Sequence, residues 1–315
     1  MKRVALTVLA VIASGANAQL TADFESPAFS GSADGVVVSG QQSWYLPAVA
    51  GAIDQLVYSY AGNVLGIAAN PTGGEQFMAG HSLGGTSLAR AQHDFDFSTA
   101  NVWTLSHDFA CAYDGIVPLT PNLASFSLNH PSLASGYKQY IALHNFMDTN
   151  DATLGWKLEF NISDAAGVAL ANQSPGPEFT NLLYNHWYRE SVTVDFSTNR
   201  ITSISLTDLT TNIAVTATPD WYVSGGAAST LPLPPSVRCF AGGATAGSIA
   251  AFDNISIVAA GCAADFNGDQ VVDFFDYLDF VQAFSANEPS ADLNGDTVID
   301  FFDYLDFVQA FSAGC

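Results

Sequence analysis

Residues 190–218, ESVTVDFSTNRITSISLTDLTTNIAVTAT, alternate apolar and polar positions with a period of two. Val192, Val194 and Phe196 share one side, STNR breaks the run, and Ile204 and Leu206 resume it. A second break at 208–212 precedes Ile213 and Val215. Successive strand side chains point to opposite faces, so the pattern predicts an antiparallel meander with one buried face. The same reading places strands at 101–111, 124–129, 138–146, 155–163, 236–243 and 248–258, with Gly, Pro and Asn punctuating the intervals. Many short strands between residues 19 and 258, with little helical periodicity, predict one large β-sandwich. All five tryptophans (44, 103, 156, 187 and 221) fall in this region and are expected to fill its core.

The period changes near the C-terminus. Tyr277, Phe280, Val281 and Phe284 stand at i, i+3, i+4 and i+7, and Tyr304, Phe307, Val308 and Phe311 repeat the stripe. Two amphipathic helices packed on each other are predicted. The stripes belong to a duplication: DFNGDQVVDFFDYLDFVQAFSA (265–286) recurs as DLNGDTVIDFFDYLDFVQAFSA (292–313). Each copy opens with a twelve-residue loop rich in oxygen. Asp265, Asn267, Asp269, Asp273 and Asp276 hold positions 1, 3, 5, 9 and 12 of the first loop. Asp292, Asn294, Asp296, Asp300 and Asp303 hold them in the second. Calcium takes six to eight hard oxygens around a curved loop, and this spacing supplies them together with the position-7 carbonyls of Val271 and Val298. Two bound Ca²⁺ ions are expected.

Loop then helix, twice, with Asp at position 12 and no incoming helix, resembles a type I dockerin over residues 262–315. The resemblance implies attachment to a cohesin-like or other cell-surface protein, and a link to polysaccharide handling. Two departures stand out. Gln270 and Thr297 replace the position-6 glycine that takes the sharp turn, which lowers the expected calcium affinity. Positions 10 and 11, which in dockerins help select the partner, are Phe274-Phe275 and Phe301-Phe302, a pair apolar enough for self-association as well. The larger region also carries a resemblance. WYRESVTVDFSTNRITSISLTDL (187–209), followed by AFDNISIV (251–258), is similar to the concanavalin-like, laminin-G-like jelly rolls of secreted bacterial proteins. That family contains both glycan binders and glycan hydrolases, so it implies a fold rather than an activity. The E-x-D-x-x-E string of its glucanases is absent, and six Glu in the chain leave a retaining carboxylate pair hard to place.

Charge and targeting narrow the partners. The chain holds thirty Asp and Glu against eight Lys and Arg, a formal net charge of −22, which disfavours nucleic acid and anionic lipid. Lys2-Arg3, the apolar run 4–13 and Ala16-Asn17-Ala18 read as an export signal over 1–18, cleaved before Gln19. That run is too short to span a bilayer, and no later run is long enough, so a secreted protein without membrane insertion is expected. In an oxidising compartment its four cysteines are expected as disulfides. Of three possible pairings, their positions favour Cys111–Cys239 and Cys262–Cys315.

One stretch points to different chemistry. GHSLGG (80–85) spells the G-x-S-x-G nucleophile elbow of esterases, with Ser82 as nucleophile. The elbow needs a buried parallel strand before it and a helix after it. The preceding NPTGGEQFMA shows only three apolar residues, and the region lacks βα alternation. A Gly/Ser-rich loop is the expectation, with Ser82 not catalytic. His93 and His107, each followed by Asp, are expected to form hydrogen-bonding pairs at strand edges. The fold class expected is therefore mainly β, an antiparallel jelly-roll sandwich with a small all-α, dockerin-like calcium module. The function expected is extracellular assembly or anchoring of a non-catalytic, polysaccharide-linked domain. A glycoside hydrolase, a Ser82 esterase and a structural surface protein are the alternatives.

Overall fold

The computed structural model describes residues 20–81, 88–112, 122–131, 139–147, 155–242, 249–259, 263–267, 272–293 and 298–313. The chain divides into a compact unit of residues 20–260 and a second containing 261–315.

The larger unit is mainly β. Its strands begin β1 (Leu20–Ala22), β2 (Val36–Val37), β3 (Ala52–Asp54), β4 (Leu56–Ser59), β5 (Gln76–His81) and β6 (Leu88–Asp94). Five longer ones follow: β7 (Val102–Ala112), β8 (Asn122–Asn129), β9 (Gln139–Met147), β10 (Trp156–Ser163) and β11 (Ala169–Gln173). The last six are β12 (Tyr188–Asp195), β13 (Arg200–Asp208), β14 (Ile213–Ala217), β15 (Trp221–Tyr222), β16 (Ser236–Ala241) and β17 (Ile249–Ala259). All are linked in one hydrogen-bonded system that doubles over itself as two rows. One row runs β11-β10-β9-β8-β16-β6-β3. The other runs β14-β13-β12-β7-β17-β5-β4-β2, with β1 beside the far half of β17. Only β3 and β6 pair in parallel among these. Short β15 touches both β10 and β13 and so joins the rows.

Alternation decides what lies between the rows. Trp103, Leu105 and Phe109 of β7 face Phe126 of β8 and Trp156, Leu158 and Phe160 of β10, and all are buried. Phe109 meets Trp156 edge to face, with centroids 5.1 Å apart. Four of the five tryptophans are buried, as the sequence suggested, while Trp221 is half-buried. The outward face of the second row carries a further core. Ile67, from the segment after β4, packs with Tyr58, Phe77, Ala110, Trp187 and Ala251, and Trp187 Nε1 donates to the Ala68 carbonyl at 2.8 Å. This row is therefore buried on both faces where residues 60–75 cross it.

The disulfide expected between Cys111 and Cys239 is not formed. Both are free, buried thiols. Cys111 lies on β7 opposite Ala250, and Cys239 lies on β16 between Ala91 and Phe126. The two belong to different rows, and each fills its own core position as a small apolar side chain. Burial pushes both thiols well above the usual range. Cys262 and Cys315 lie outside the described residues.

The smaller unit holds two helices, α1 (Phe274–Ala286) and α2 (Phe301–Ala313). Their stripes meet as the spacing predicts. Phe280 stacks on Phe307 with centroids 4.1 Å apart and planes parallel. Ala283, Ala291, Phe266 and Leu293 complete a small core. Asn287 ends α1 in the left-handed region, its N–H returning to the last turn, and a short 3-10 turn at Pro289–Ala291 leads into the second loop.

Candidate functional site

Three groups of polar side chains are built into the sandwich, and they differ in what they leave open. The first lies between the rows. His107 on β7 is opposite Glu190 on β12, with Nε2 3.2 Å from Oε2, and both are essentially inaccessible. Asn145 donates its side-chain amide to Glu190 Oε1, and Phe126 stacks on the His107 ring at 4.7 Å. His107 is thus a core residue rather than the strand-edge partner of Asp108 that the sequence suggested; strand alternation sends the two side chains to opposite faces.

The second group lies on the outward face of the other row. Arg189 grips Asp108 with two hydrogen bonds, Nε to Oδ1 at 2.7 Å and Nη2 to Oδ2 at 2.9 Å. Asn70 and Asn254 also donate to Asp108 Oδ2, at 2.9 and 2.8 Å. Neighbouring Asp253 accepts from Tyr60 Oη at 2.8 Å, from Asn70 at 3.2 Å and from the Asn254 N–H at 2.8 Å. Burial, then the Asp108 charge, pushes the Asp253 carboxyl up to about 7 against those donors. The D-N pair of AFDNISIV is therefore a clasp: it sits at a register shift in β17 and ties residues 60–72 to the sheet.

The third group faces outward on the first row. Three ranks cross β6, β16 and β8: Asp94–Ser236–Asn129, Gln92–Arg238–Ser127 and Arg90–Phe240–Ser125. These side chains point away from the core, yet Arg90, Ser125, Ser127, Asn129 and Ser236 are buried. Outward polar side chains this buried are either covered or lie at the bottom of a depression. At the Asp94 end this face opens as a cavity of about 690 Å³, bordered also by Tyr45, Phe95, Pro131 and Pro235. Tyr45 Oη donates to Asp94 Oδ1 at 2.6 Å. Burial, then this bond, pushes the phenol up to about 12. Gln92 donates to Ser236 Oγ at 3.1 Å and accepts from Arg238 through Nε at 2.9 Å and Nη2 at 2.6 Å. Arg90 lies over the Phe240 ring at 5.4 Å. Fixed amide, carboxylate and guanidinium groups beside aromatic and proline edges can take a polyhydroxylated ligand, whose hydroxyls both donate and accept.

GHSLGG has a structural explanation in part. A strand does precede Gly80, contrary to the sequence reading, because β5 is a buried central strand held by β4 and β17. Both pairings are antiparallel, and the next described element is β6, not a helix. A Cβ on Gly80 would come within 2.5 Å of the Ala89 Cβ on β6, so this glycine allows close approach of the two rows. Ser82 lies outside the described residues. His186 pairs with Asp208 at 2.8 Å.

In the helical unit the structure brings part of each loop together. Asp276 and Asp303 are fully buried. Asp276 accepts from the Asn267 N–H at 3.1 Å and the Asp273 N–H at 2.8 Å. Asp303 accepts from the Leu293 N–H at 2.9 Å and the Asp300 N–H at 2.8 Å. Asp273 and Asp300 cap their helices by accepting from Phe275 and Phe302 at 2.7 and 2.8 Å. Position 12 therefore reaches back to the loop's opening residues and to position 9. Asp269, Val271, Asn294 and Asp296 lie outside the described residues. Among the described residues no group of three or more His, Cys, Asp or Glu forms a metal cluster. The Phe274-Phe275 and Phe301-Phe302 pairs are 64–65% exposed.

No family model and no curated protein matches the chain. Among solved structures, it is similar to a carbohydrate esterase of the Shiga toxin-encoding bacteriophage phi24B, at 12% identity and TM-score 0.42, over 73% of this chain and 98% of that one. It is similar to lectin UEA-II complexed with galactose, at 12% identity and TM-score 0.42, over 76% and 97%. It is also similar to the exoplasmic/lumenal domain of VIP36 in a Ca²⁺/Man3GlcNAc-bound form, at 12% identity and TM-score 0.37, over 59% and 80%. Likeness at this level concerns architecture and not what the chain binds.

Proposed function

We propose that this is a secreted, calcium-binding protein whose β-sandwich holds a polysaccharide without cleaving it, while its dockerin-like module attaches it to a partner outside the cell. The observation that carries the reading is the buried polar floor of the first row. Gln92, Asp94, Asn129, Ser236 and Arg238 stand in register beside Tyr45, around a cavity of about 690 Å³. These side chains are held by one another, except that Asn129 Oδ1 is buried without a partner, and a glycan hydroxyl would supply one.

Calcium belongs to the helical module in this reading. Asp265, Asn267, Asp269, Asp273 and Asp276, with the Val271 carbonyl, would hold one ion. Asp292, Asn294, Asp296, Asp300 and Asp303, with the Val298 carbonyl, would hold the other. The buried position-12 carboxylates, each bonded back to the opening of its loop, fit this role. The metal would offset repulsion in residues 262–315, which contain eleven acidic residues and no Lys or Arg. With Gln270 and Thr297 at the turn, an affinity of about 10⁻⁵–10⁻⁴ M is expected, towards the range of extracellular modules. The exposed Phe pairs are the docking points for a cohesin-like or other cell-surface protein.

The test is titration of the full mature chain with a panel of soluble polysaccharides, with reducing-end release followed in the same samples. Binding without release, lost on replacing Gln92 and Asp94 by Ala, is the expected result. Release of sugar would move the protein among the hydrolases. Binding unchanged in the variants would place the ligand elsewhere.

A further inference from the structure

The groove contains a cation that its own neighbours leave without a counter-charge. Arg238 stands mid-rank between Gln92 and Ser127. Its Nε and Nη2 both donate to the neutral Gln92 Oε1. Among the described residues no carboxylate lies within ion-pair distance of it, whereas Arg189, Lys157 and Arg200 each have one. Each acidic group bordering the same cavity has one oxygen held by a donor other than Arg238. Asp94 accepts from Tyr45 at 2.6 Å, and Asp96 accepts from the Ser98 N–H in its own turn at 2.9 Å. Arg90 lies one rank further along the floor. Two of the eight basic residues of a chain with net charge −22 thus stand on adjacent ranks of one row, and Arg238 borders the cavity.

The electrostatics point the same way. Burial, and next the charge of Arg90, lowers the Arg238 guanidinium from its usual range. Holding a partly buried cation beside another cation is unfavourable, and an incoming anion removes that cost. The Nε–Nη2 edge is held by Gln92, which fixes the plane of the fork. The terminal edge, through Nη1, remains for a bidentate acceptor.

We propose, building on the glycan-binding reading above, that the groove selects an acidic glycan, whose carboxylate or sulfate ester sits on Arg238 while neighbouring hydroxyls donate to Asp94. A uronic acid residue matches the arrangement, since it carries one carboxylate on a ring bearing vicinal hydroxyls. The mixture of signs in the groove matters here. The acidic rim favours an anionic group flanked by hydroxyl donors over a bare anion.

The test uses calorimetric titration of the full chain, with calcium held constant, by four short oligosaccharides. They are oligogalacturonate, its methyl ester, a neutral galactan fragment and a sulfated galactan fragment. Oligogalacturonate should bind about ten- to hundredfold more tightly than its methyl ester, the range of one charge-assisted hydrogen-bonding pair. Arg238→Gln should remove that preference, and Arg238→Lys should retain part of it. Tryptophan fluorescence and the melting temperature of both variants report whether the sandwich is intact. Tighter binding of the sulfated fragment, lost in Arg238→Gln, would assign the anion as a sulfate ester. Equal binding of acid and ester, or a preference unaffected by Arg238→Gln in a folded variant, would overturn the anionic assignment and leave the glycan-binding reading in place. Failure of all four to bind would overturn both.

Discussion

Replacing Asp276 by Ala isolates the element on which the helical module's local order rests. The side chain is fully buried and accepts two backbone N–H groups, from Asn267 at 3.1 Å and Asp273 at 2.8 Å. A buried donor left without an acceptor costs about 1–3 kcal/mol. Both donors lie near the module surface, where water can partly replace the carboxylate, so the lower part of that range applies. The two together give a loss of about 2–3 kcal/mol, with the reciprocal cap included. At 1.4 kcal/mol per tenfold, the opening equilibrium of α1 should shift about 30- to 150-fold. Hydrogen exchange read by mass spectrometry on the full chain measures this directly, on peptides covering 274–286 and 301–313. Because Phe280 stacks on Phe307 at 4.1 Å, the two helices share one core, and the loss should appear in both. Asp303→Ala should behave in the same way. Tryptophan fluorescence serves as the control, since all five tryptophans lie between residues 44 and 221, outside the module. Exchange accelerated less than threefold, or confined to α1, would refute both the capping argument and the shared core. Added calcium should slow exchange in the wild-type module much more than in Asp276→Ala if position 12 is also a metal ligand.

Gly80→Ala should destabilise the sandwich by about 1–3 kcal/mol, because the added Cβ meets Ala89 at 2.5 Å; an unchanged urea midpoint would show that β5 and its neighbours can spread. Asp253 titrates near 7 in the folded chain against about 4 when unfolded, so the folded state retains a proton that the unfolded state releases. Stability should therefore fall as pH rises from about 4 to 7, by a few kcal/mol in order of magnitude, and Asp253→Asn should flatten that slope in fluorescence-detected urea melts. A slope equal to the wild type's would count against the buried carboxyl. Cys111 and Cys239 should resist thiol reagents in the native protein and react after denaturation without reductant; protection after denaturation would restore the disulfide.

The elements easiest to read were those whose signal is local. The 190–218 meander forms as β12, β13 and β14, and its covered face holds through β12 and β13, while Ile213 of β14 is exposed. The helical stripes were legible because both copies present the same residues to one another. Strands β4, β5 and β6 were missed for an identifiable reason. β5 is buried on both faces and contains Gly80 and Gln76, so it shows neither alternation nor a β-branched run. The strand reading of HDF placed His107 and Asp108 in one pair. Strand geometry instead sends them to Glu190 and Arg189, which are themselves adjacent in sequence. The groove has no local signature at all. Tyr45, Gln92, Asn129 and Arg238 come from four distant segments, and each alone is an ordinary polar or aromatic residue.

The three polar groups differ in what each still lacks, and that difference singles out the groove. Glu190 is held by Asn145 and sits against His107 between the rows, where no ligand can reach without parting them. Asp108 accepts two bonds from Arg189 and one each from Asn70 and Asn254, while Asp253 accepts three of its own. These donors neutralise the second group and secure the segment crossing it. In the groove, by contrast, carboxylate and guanidinium are kept apart. Asp94 is held by a phenol and Arg238 by an amide, although their strands are paired and they stand one rank from each other. Neutral partners hold each charge in place without cancelling it. The second group also borders a cavity, of about 350 Å³, but its Arg189 and Asp108 cancel each other there, whereas the groove opens with its charges unpaired.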